Sequence, residues 1–430
     1  VNVSDGMGLR QVAAPTPEVA LRSLADRPEL ICLHGGSDGW IYVALPQQAR
    51  WLHSLADLPE PDHGQADTRP CGWPAMMSGG WLIQCDYGLP VGKHAAAVRH
   101  GAVAGRAARL DAWLAWDPSG QAWLGGEEIA AARLWALLQR PAAPAAEPLA
   151  GVHPESLWSA EAHQAKVEQV REAIAAGVCF QANLALPFSA PWPQQDQDLE
   201  LFLTLCQVSP APYAAFWRQP SADGIAGRSI CSHSPECYLQ GNGEYLRSEP
   251  IKGTRARVAG NDAQTIAELL SSSKDRAELA MIVDLVRSDL GRIAEVGSVR
   301  VEEAAKVLTL DYVHHTMAVV SSRPKPETSL RDWLAATYPA GSITGAPKIE
   351  VMRLLQGLEG VDRGPYCGCF GWIGQRSCAL AVAIRTMWIQ AGMVHFAAGG
   401  GIVADSQAQM EWEEVLAKAQ RMTAVLGASE

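Results

Sequence analysis

Glu236 and Lys252 make the sharpest chemical pair in the chain. Lys252 stands in the run Pro250-Ile251-Lys252-Gly253-Thr254. An ordinary lysine is protonated near neutral pH and is a poor nucleophile. Desolvation, or a pocket crowded with other cations, lowers its pKa and frees the lone pair. Glu236, in Ser234-Pro235-Glu236, is the nearest acid able to protonate a leaving hydroxyl. The same two side chains can equally form a surface ion pair, and the residues alone leave both readings open.

A second set of residues suits anions. Gly399-Gly400-Gly401 precede a helical pattern, where backbone N–H groups can approach a ligand and a helix N-terminus favours negative charge. Arg385 interrupts the apolar run ALAVAIRTMW. A buried guanidinium needs an anion, from a substrate or from an internal Asp or Glu, and can grip a carboxylate with two parallel hydrogen bonds. Lys418 adds a point charge, and GSITGAPK (341–348) is a second Gly-rich segment of similar capability. Glu278 on one helix, with Glu411 and Glu414 on another, are hard oxygen donors. They suit Mg²⁺, which typically takes about one or two carboxylates plus substrate oxygens and water; the bland alternative is a solvated acidic face. No His/Cys spacing fits zinc.

The elements that must carry these groups can be read from periodicity. Ser159 caps a helix whose Val167, Val170 and Ile174 repeat at helical spacing before Gly177 stops it. Val178–Ala190 alternates, with Ala182, Leu184 and Leu186 on one face and Gln181 and Asn183 on the other, as in a strand lining a polar pocket. Ile230–Pro250 reads as a hairpin turning at Gly241-Asn242-Gly243, which brings Glu236 and Lys252 to one end of a ribbon. Asp275–Ile293 is helical. Cys378–Gln390 and Met393–Ala398 form a second hairpin about Ala391-Gly392, with Arg385 across from the glycines. A last helix starts near Ser406, capped by Asp405 or Ser406, with Trp412, Val415, Ala419 and Met422 inward and Glu411, Glu414 and Lys418 on another face.

The bulk numbers bound the rest. A chain of 430 residues with 48% hydrophobic content can bury a large core. Its formal net charge of -11 argues against nucleic acid and anionic membrane as partners. Ten cysteines without a CxxC pair read as buried thiols in a reducing compartment. Val1–Leu30 has no signal-peptide pattern, and no apolar run approaches the ~18 residues of a membrane span. The expectation is a soluble cytoplasmic protein. The first 140 residues are poorly patterned, and the Pro/Ala-rich Pro141–Pro154 reads as a linker. The expected division is a variable N-terminal subdomain (1–140), a linker (141–155) and a catalytic subdomain (156–430).

Taken together and in order, nine segments resemble the chorismate-utilising enzymes over about residues 156–428: FQANL (180–184), SPE (234–236), PIKGT (250–254), DRAE with MIVDLVRSD (275–289), VHH (313–315), GSITGAPK, AIRT (383–386), GGGIVADS (399–406) and EWEEVLAK (411–418). Residues 1–150 resemble that family only faintly, through Gly79-Gly80 and Asp86-Tyr87-Gly88. The resemblance implies an α+β fold, a single sandwich of two face-packed antiparallel sheets with helices outside. It implies chorismate as substrate and Mg²⁺ held by Glu278 and Glu414, with Glu411 as ligand or support. Arg385, Lys418 and Gly399–Gly401 would hold the second carboxylate, His315 would sit near the reacting ring, and Thr254, Thr344 and Gln181 would complete the substrate-binding set. Glu236 would be the general acid. Isochorismate and salicylate synthases look to carry a lysine base where this chain has Gln181. Anthranilate synthases usually have alanine where it has Lys252, so Lys252 points to the aminodeoxychorismate-forming branch and to a covalent mechanism. Ammonia would come from a separate glutamine amidotransferase subunit, giving a heterodimer. The tryptophan-binding run of anthranilate synthases is not apparent; Ile31–Gly36 reads ICLHGG. Departures include Arg287-Ser288-Asp289 for Arg-Asn-Asp and SPECY for SPERF, and none removes a proposed ligand or catalyst.

Overall fold

A computed structural model of the protein describes residues 10–36, 39–46, 48–59, 80–89, 103–146, 149, 151–193, 197–257, 260–374 and 376–427. Gly79, Cys71, part of the expected linker and most of 1–30's first third lie outside the described residues. Two antiparallel sheets dominate, one of twelve strands and one of ten. Strands from both ends of the chain enter each sheet. Leu30–His34 pairs with Tyr213–Gln219, and Trp81–Cys85 pairs with Cys369–Ile373.

The sheets pack face to face, in part through a shared cluster. Ile31, Ala215, Trp217 and Ile230 of the larger sheet meet Leu82, Ala108, Phe370 and Trp372 of the smaller. Trp217 and Phe370 touch edge to face at 5.9 Å between centroids. Trp217 is fully buried, so its truncation would cost about 3–5 kcal/mol. Helices cover the outer faces. Asp198–Val208 and Ala408–Val425 lie on the larger sheet, and Ser273–Gly291 and Leu330–Thr337 on the smaller. No helix among the described residues is long and apolar enough to cross a membrane.

The local signals largely hold. Ser159 accepts from the Ala162 N–H and caps helix Ala160–Ala175. Strand Gln181–Pro191 keeps Ala182 and Leu184 against the helices, so Gln181 and Asn183 face the other way. Nine described cysteines are free thiols, all but Cys206 buried.

Three readings need correction. The first hairpin spans only Cys237–Gly241 and Leu246–Glu249; Arg228–Ser234 belongs to the other sheet. Cys378–Gln390 is likewise two strands, Cys378–Val382 and Thr386–Gln390, one in each sheet. Alternation survives such a crossing, so the pattern could not reveal it. Gly399–Gly401 form no turn before a helix. They end strand Met393–Ile402, paired with Ala185, Leu184 and Asn183, and the last helix starts at Ala408. Its N-cap position is Gln407, with no side-chain cap. Ser406 is spent on the Val403 N–H (3.0 Å) and the Glu411 carboxylate (2.7 Å).

Candidate active site

A cavity of about 450 Å³ opens where the chain crosses twice between the sheets. One crossing is Pro235-Glu236 and the other is Ala383–Arg385. The crossings are tied to each other. The His233 N–H donates to the Arg385 carbonyl (3.0 Å), and the Val382 N–H donates to the Glu236 carbonyl (3.1 Å). This pairing sets the acid and the guanidinium at one end of the cavity. Arg385 has φ 50°, a left-handed conformation costing on the order of 1–2 kcal/mol for a non-glycine residue.

Lys252 enters the cavity from strand Ile251–Ala256. Its neighbour Gly253 has φ 81°, and the register with strand Val313–Ser322 slips between Lys252 and Thr254. Gly253 is thus the extra residue of a bulge, a device that re-aims side chains beside it. Lys252 keeps some surface because the cavity is open, yet its amine lies deep. Burial lowers its pKa; Glu278 opposes this and Lys418 reinforces it. Glu236 is 3% exposed. Burial pushes its carboxyl up to about 7, against the Ser342 hydroxyl, which donates to it, and the charge of Lys252.

His315 and Arg385 work as a unit. Arg385 donates to His315 Nε2 at 2.9 Å and to the Tyr312 hydroxyl. A guanidinium can only donate, so Nε2 must be the unprotonated nitrogen. Nδ1 then carries the proton and donates to Thr254 Oγ1 at 2.9 Å. Burial and the charge of Arg385 hold the imidazole neutral, with its pKa lowered to about 3. Among the described residues Arg385 has no carboxylate partner; both its side-chain hydrogen bonds go to neutral groups. Of the two sources of an anion left open by the sequence, no internal ion pair to Arg385 is present among the described residues.

The opposite wall is charged. The Lys418 ammonium donates to the Gly399 carbonyl (2.8 Å) and pairs with Glu414 (2.7 Å), which lowers the Glu414 pKa. Glu278 is raised, by burial first, with Asp275 and Glu414 adding to the effect. Lys274 lies 3.9 Å from Glu278 and 3.5 Å from Glu411.

The glycines make room. A Cβ on Gly401 would stand 2.4 Å from Gln181 Nε2 and 3.3 Å from Lys252 Nζ, and one on Gly400 would stand 3.2 Å from Glu411 Oε2. Gln181 is fully buried behind Gly401, with neither amide atom hydrogen-bonded. Gly400 and Glu411 are not on the cavity wall. Thr344 is not either; its hydroxyl donates to the Ala340 and Gly341 carbonyls.

Among the cavity residues that reading the sequence did not single out as site residues are Asp275, Ser342, Tyr366, Arg421, Arg255 and Lys274. Asp275 precedes Glu278 by one helical turn and Arg421 follows Lys418 by one, so helical spacing could have found both. Ser342 was visible only as part of a Gly-rich loop, and no signal marks Tyr366.

No three His, Cys, Asp or Glu residues stand at metal-holding spacing among the described residues. The Glu278 and Glu411 carboxylates face the Lys274 ammonium, and Glu414 faces that of Lys418. The donor set still fits Mg²⁺: Glu278 and Glu414 offer carboxylates from two helices, leaving room for substrate oxygens and water. Glu411, held by Ser406 and 3% exposed, fits a supporting place rather than a ligand's.

Residues 108–424 match the family model described as chorismate binding enzyme. Aminodeoxychorismate synthase component 1 of Escherichia coli strain K12 is 36% identical over 271 residues, 62% of this chain and 58% of that protein. Anthranilate synthase component 1 of Bacillus subtilis strain 168 is 38% identical over 267 residues, 61% of this chain and 50% of that protein. The matched part thus spans little more than half the length of these relatives. Anthranilate synthase component I from Streptococcus pneumoniae TIGR4 superposes with a TM-score of 0.72 at 25% identity, covering 98% of this chain and 93% of its own. The menaquinone-specific isochorismate synthase MenF of Escherichia coli shares the fold, with a TM-score of 0.75 at 17% identity over 98% of this chain and 95% of its own. The family match covers well over half the chain, and the two-sheet fold with its cavity agrees with it: this chain belongs to the chorismate binding enzymes.

Proposed function

We propose that the protein converts chorismate and ammonia to 4-amino-4-deoxychorismate and water through a covalent intermediate on Lys252. The observation that carries this reading is the pairing of a buried amine of lowered pKa with a buried carboxyl raised to about 7 in one cavity. Both groups are biased toward their neutral forms. Those are the forms in which an amine attacks and a carboxylic acid donates.

The Lys252 amine attacks C2 of the ring. The diene electrons shift toward C4, and the C4–O bond breaks as Glu236 gives its proton to the departing hydroxyl, which leaves as water. Ammonia then attacks C4. The electrons shift back, the C2–N bond to Lys252 breaks, and the protons gained on nitrogen return to Glu236 and solvent. Pyruvate is not released. Arg385, oriented by His315 and Tyr312, grips one substrate carboxylate. Lys418 adds charge on the opposite wall. Mg²⁺ held by Glu278 and Glu414 would neutralise the ring carboxylate. Gln181, unpaired beside Lys252, offers an amide rather than a base, which disfavours water as the nucleophile.

Ammonia in this reading comes from a glutamine amidotransferase partner. In support, burial raises the pKa of Cys32, Cys179, Cys206 and Cys231, the reverse of what a glutaminase nucleophile needs.

Mass spectrometry of products from chorismate, ammonium and Mg²⁺ with the purified chain tests the proposal. The expected product is one mass unit lighter than chorismate and yields 4-aminobenzoate with an added lyase. Anthranilate would overturn the branch assignment and leave the family intact. No product, even with an amidotransferase and glutamine present, would mean a silent chorismate-binding subunit.

A further inference from the structure

Lys274 has no part in the chemistry above, yet it holds the centre of the charged wall. It sits in the first turn of helix Ser273–Gly291, where the helix dipole disfavours a cation. Its ammonium nonetheless points at Glu278 (3.9 Å) and Glu411 (3.5 Å) and lies in the field of Glu414. Glu278 and Glu411 are 12% and 3% exposed, whereas Lys274 is 53% exposed. The carboxylates are therefore fixed and the lysine has a route to solvent. A compact charge on a flexible stem can take that route without moving the backbone.

Charge balance gives the contact a purpose. Lys274 stands against Glu278 and Glu411, Lys418 is paired with Glu414 at 2.7 Å, and Asp275 is matched by Arg255 at 2.9 Å. Each of these carboxylates has a cationic neighbour before any ligand arrives. A divalent cation at Glu278 would compete with the Lys274 ammonium for that carboxylate, and Lys274 is the partner with an exit to solvent.

We propose that Lys274 is a displaceable internal counter-ion: it compensates Glu278, Glu411 and Glu414 in the free protein and swings out when a divalent cation binds. This rests on the Mg²⁺ reading of Glu278 and Glu414. It makes cation binding a competition and favours loading of the cation together with a dianionic substrate, whose charge offsets the added one.

The test is Mn²⁺ binding to the full chain, read from loss of the free-ion electron paramagnetic resonance signal, with and without chorismate. The chains are wild type, Lys274→Met and Lys274→Arg. Lys274→Met should bind Mn²⁺ about tenfold more tightly than wild type, a change of ~1.4 kcal/mol, and Lys274→Arg should stay near wild type. A Lys274→Met chain that folds only with Mn²⁺ present supports the proposal equally. Equal or weaker binding by Lys274→Met overturns the proposal and leaves the metal site standing. Failure of Lys274→Met to fold with or without Mn²⁺ overturns it too, since the lysine is then a fixed structural cation. Absence of Mn²⁺ binding in every chain, with chorismate present, removes the metal reading itself.

Discussion

The two ends of the cavity are governed by different physics. At the sheet crossings, Glu236, Lys252 and His315 are all shifted by burial first, and all toward the neutral form. On the outer wall Glu414 is shifted first by its partner Lys418, toward the charged form, and both side chains are nearly half exposed, whereas Glu278, raised by burial, stands between the two cases. Desolvation prepares groups to exchange protons and form bonds; paired charges in partial solvent prepare groups to bind. The contrast separates the residues that should control turnover from those that should control affinity.

The strongest way to break the contrast is at its inner end. Lys252→Ala removes the nucleophile and leaves the Lys418–Glu414 pair of the outer wall in place. Turnover should fall by about 10⁴-fold or more, with the chorismate Kd changing little, and the mass of a trapped protein–substrate adduct should vanish. An adduct that persisted in the variant would place the covalent bond elsewhere. Glu236→Gln should cost about 10²–10⁴-fold in kcat with KM near wild type, because an amide fills the same buried space and has no proton to give. A large rise in KM with kcat preserved would make Glu236 a binding group.

How much of this was legible in the sequence follows the same division. Elements with unbroken periodicity were readable: strand Gln181–Pro191 with its amides on one face, and helices Ser273–Gly291 and Ala408–Val425, the latter with Glu411, Glu414 and Lys418 on a face apart from its core stripe. The helical acids and lysines of the outer wall could therefore be grouped from spacing alone. The inner end could not. Glu236 and Arg385 meet because the chain leaves one sheet for the other at both positions, and apolar alternation continues across each break. Gly399–Gly401 looked like a turn because three glycines usually are one. They stand in a strand paired with Asn183–Ala185, and they are glycines because the Leu184 carbonyl, Glu411, Gln181 and Lys252 occupy the space side chains would need. The family resemblance grouped these residues as a set, and the packing shows what each one touches.

The outer wall should respond more weakly. Lys418→Ala removes a half-exposed ammonium whose pair with Glu414 is screened by solvent. The chorismate KM should rise by about three- to tenfold, a loss of ~0.6–1.4 kcal/mol, with kcat within about twofold. The effect should shrink as salt is raised. A fall in kcat of the size expected for Glu236→Gln would erase the division between the two ends.

The smallest change sharpens the comparison most. Ser342 donates its hydroxyl to the Glu236 carboxylate, which favours the ionised form and opposes the effect of burial. Ser342→Ala removes that donor and leaves the desolvation in place, so the carboxyl must hold its proton to higher pH. In infrared difference spectra the protonated-carboxyl band of Glu236, identified by its loss in Glu236→Gln, should disappear about 7 in the wild type. In Ser342→Ala it should persist about one pH unit further. The sign separates the two causes. A band that moves down would mean that solvent entering the space left by Ser342 outweighs the lost hydrogen bond, so that packing at Ser342, more than donation from it, sets the acidity of Glu236.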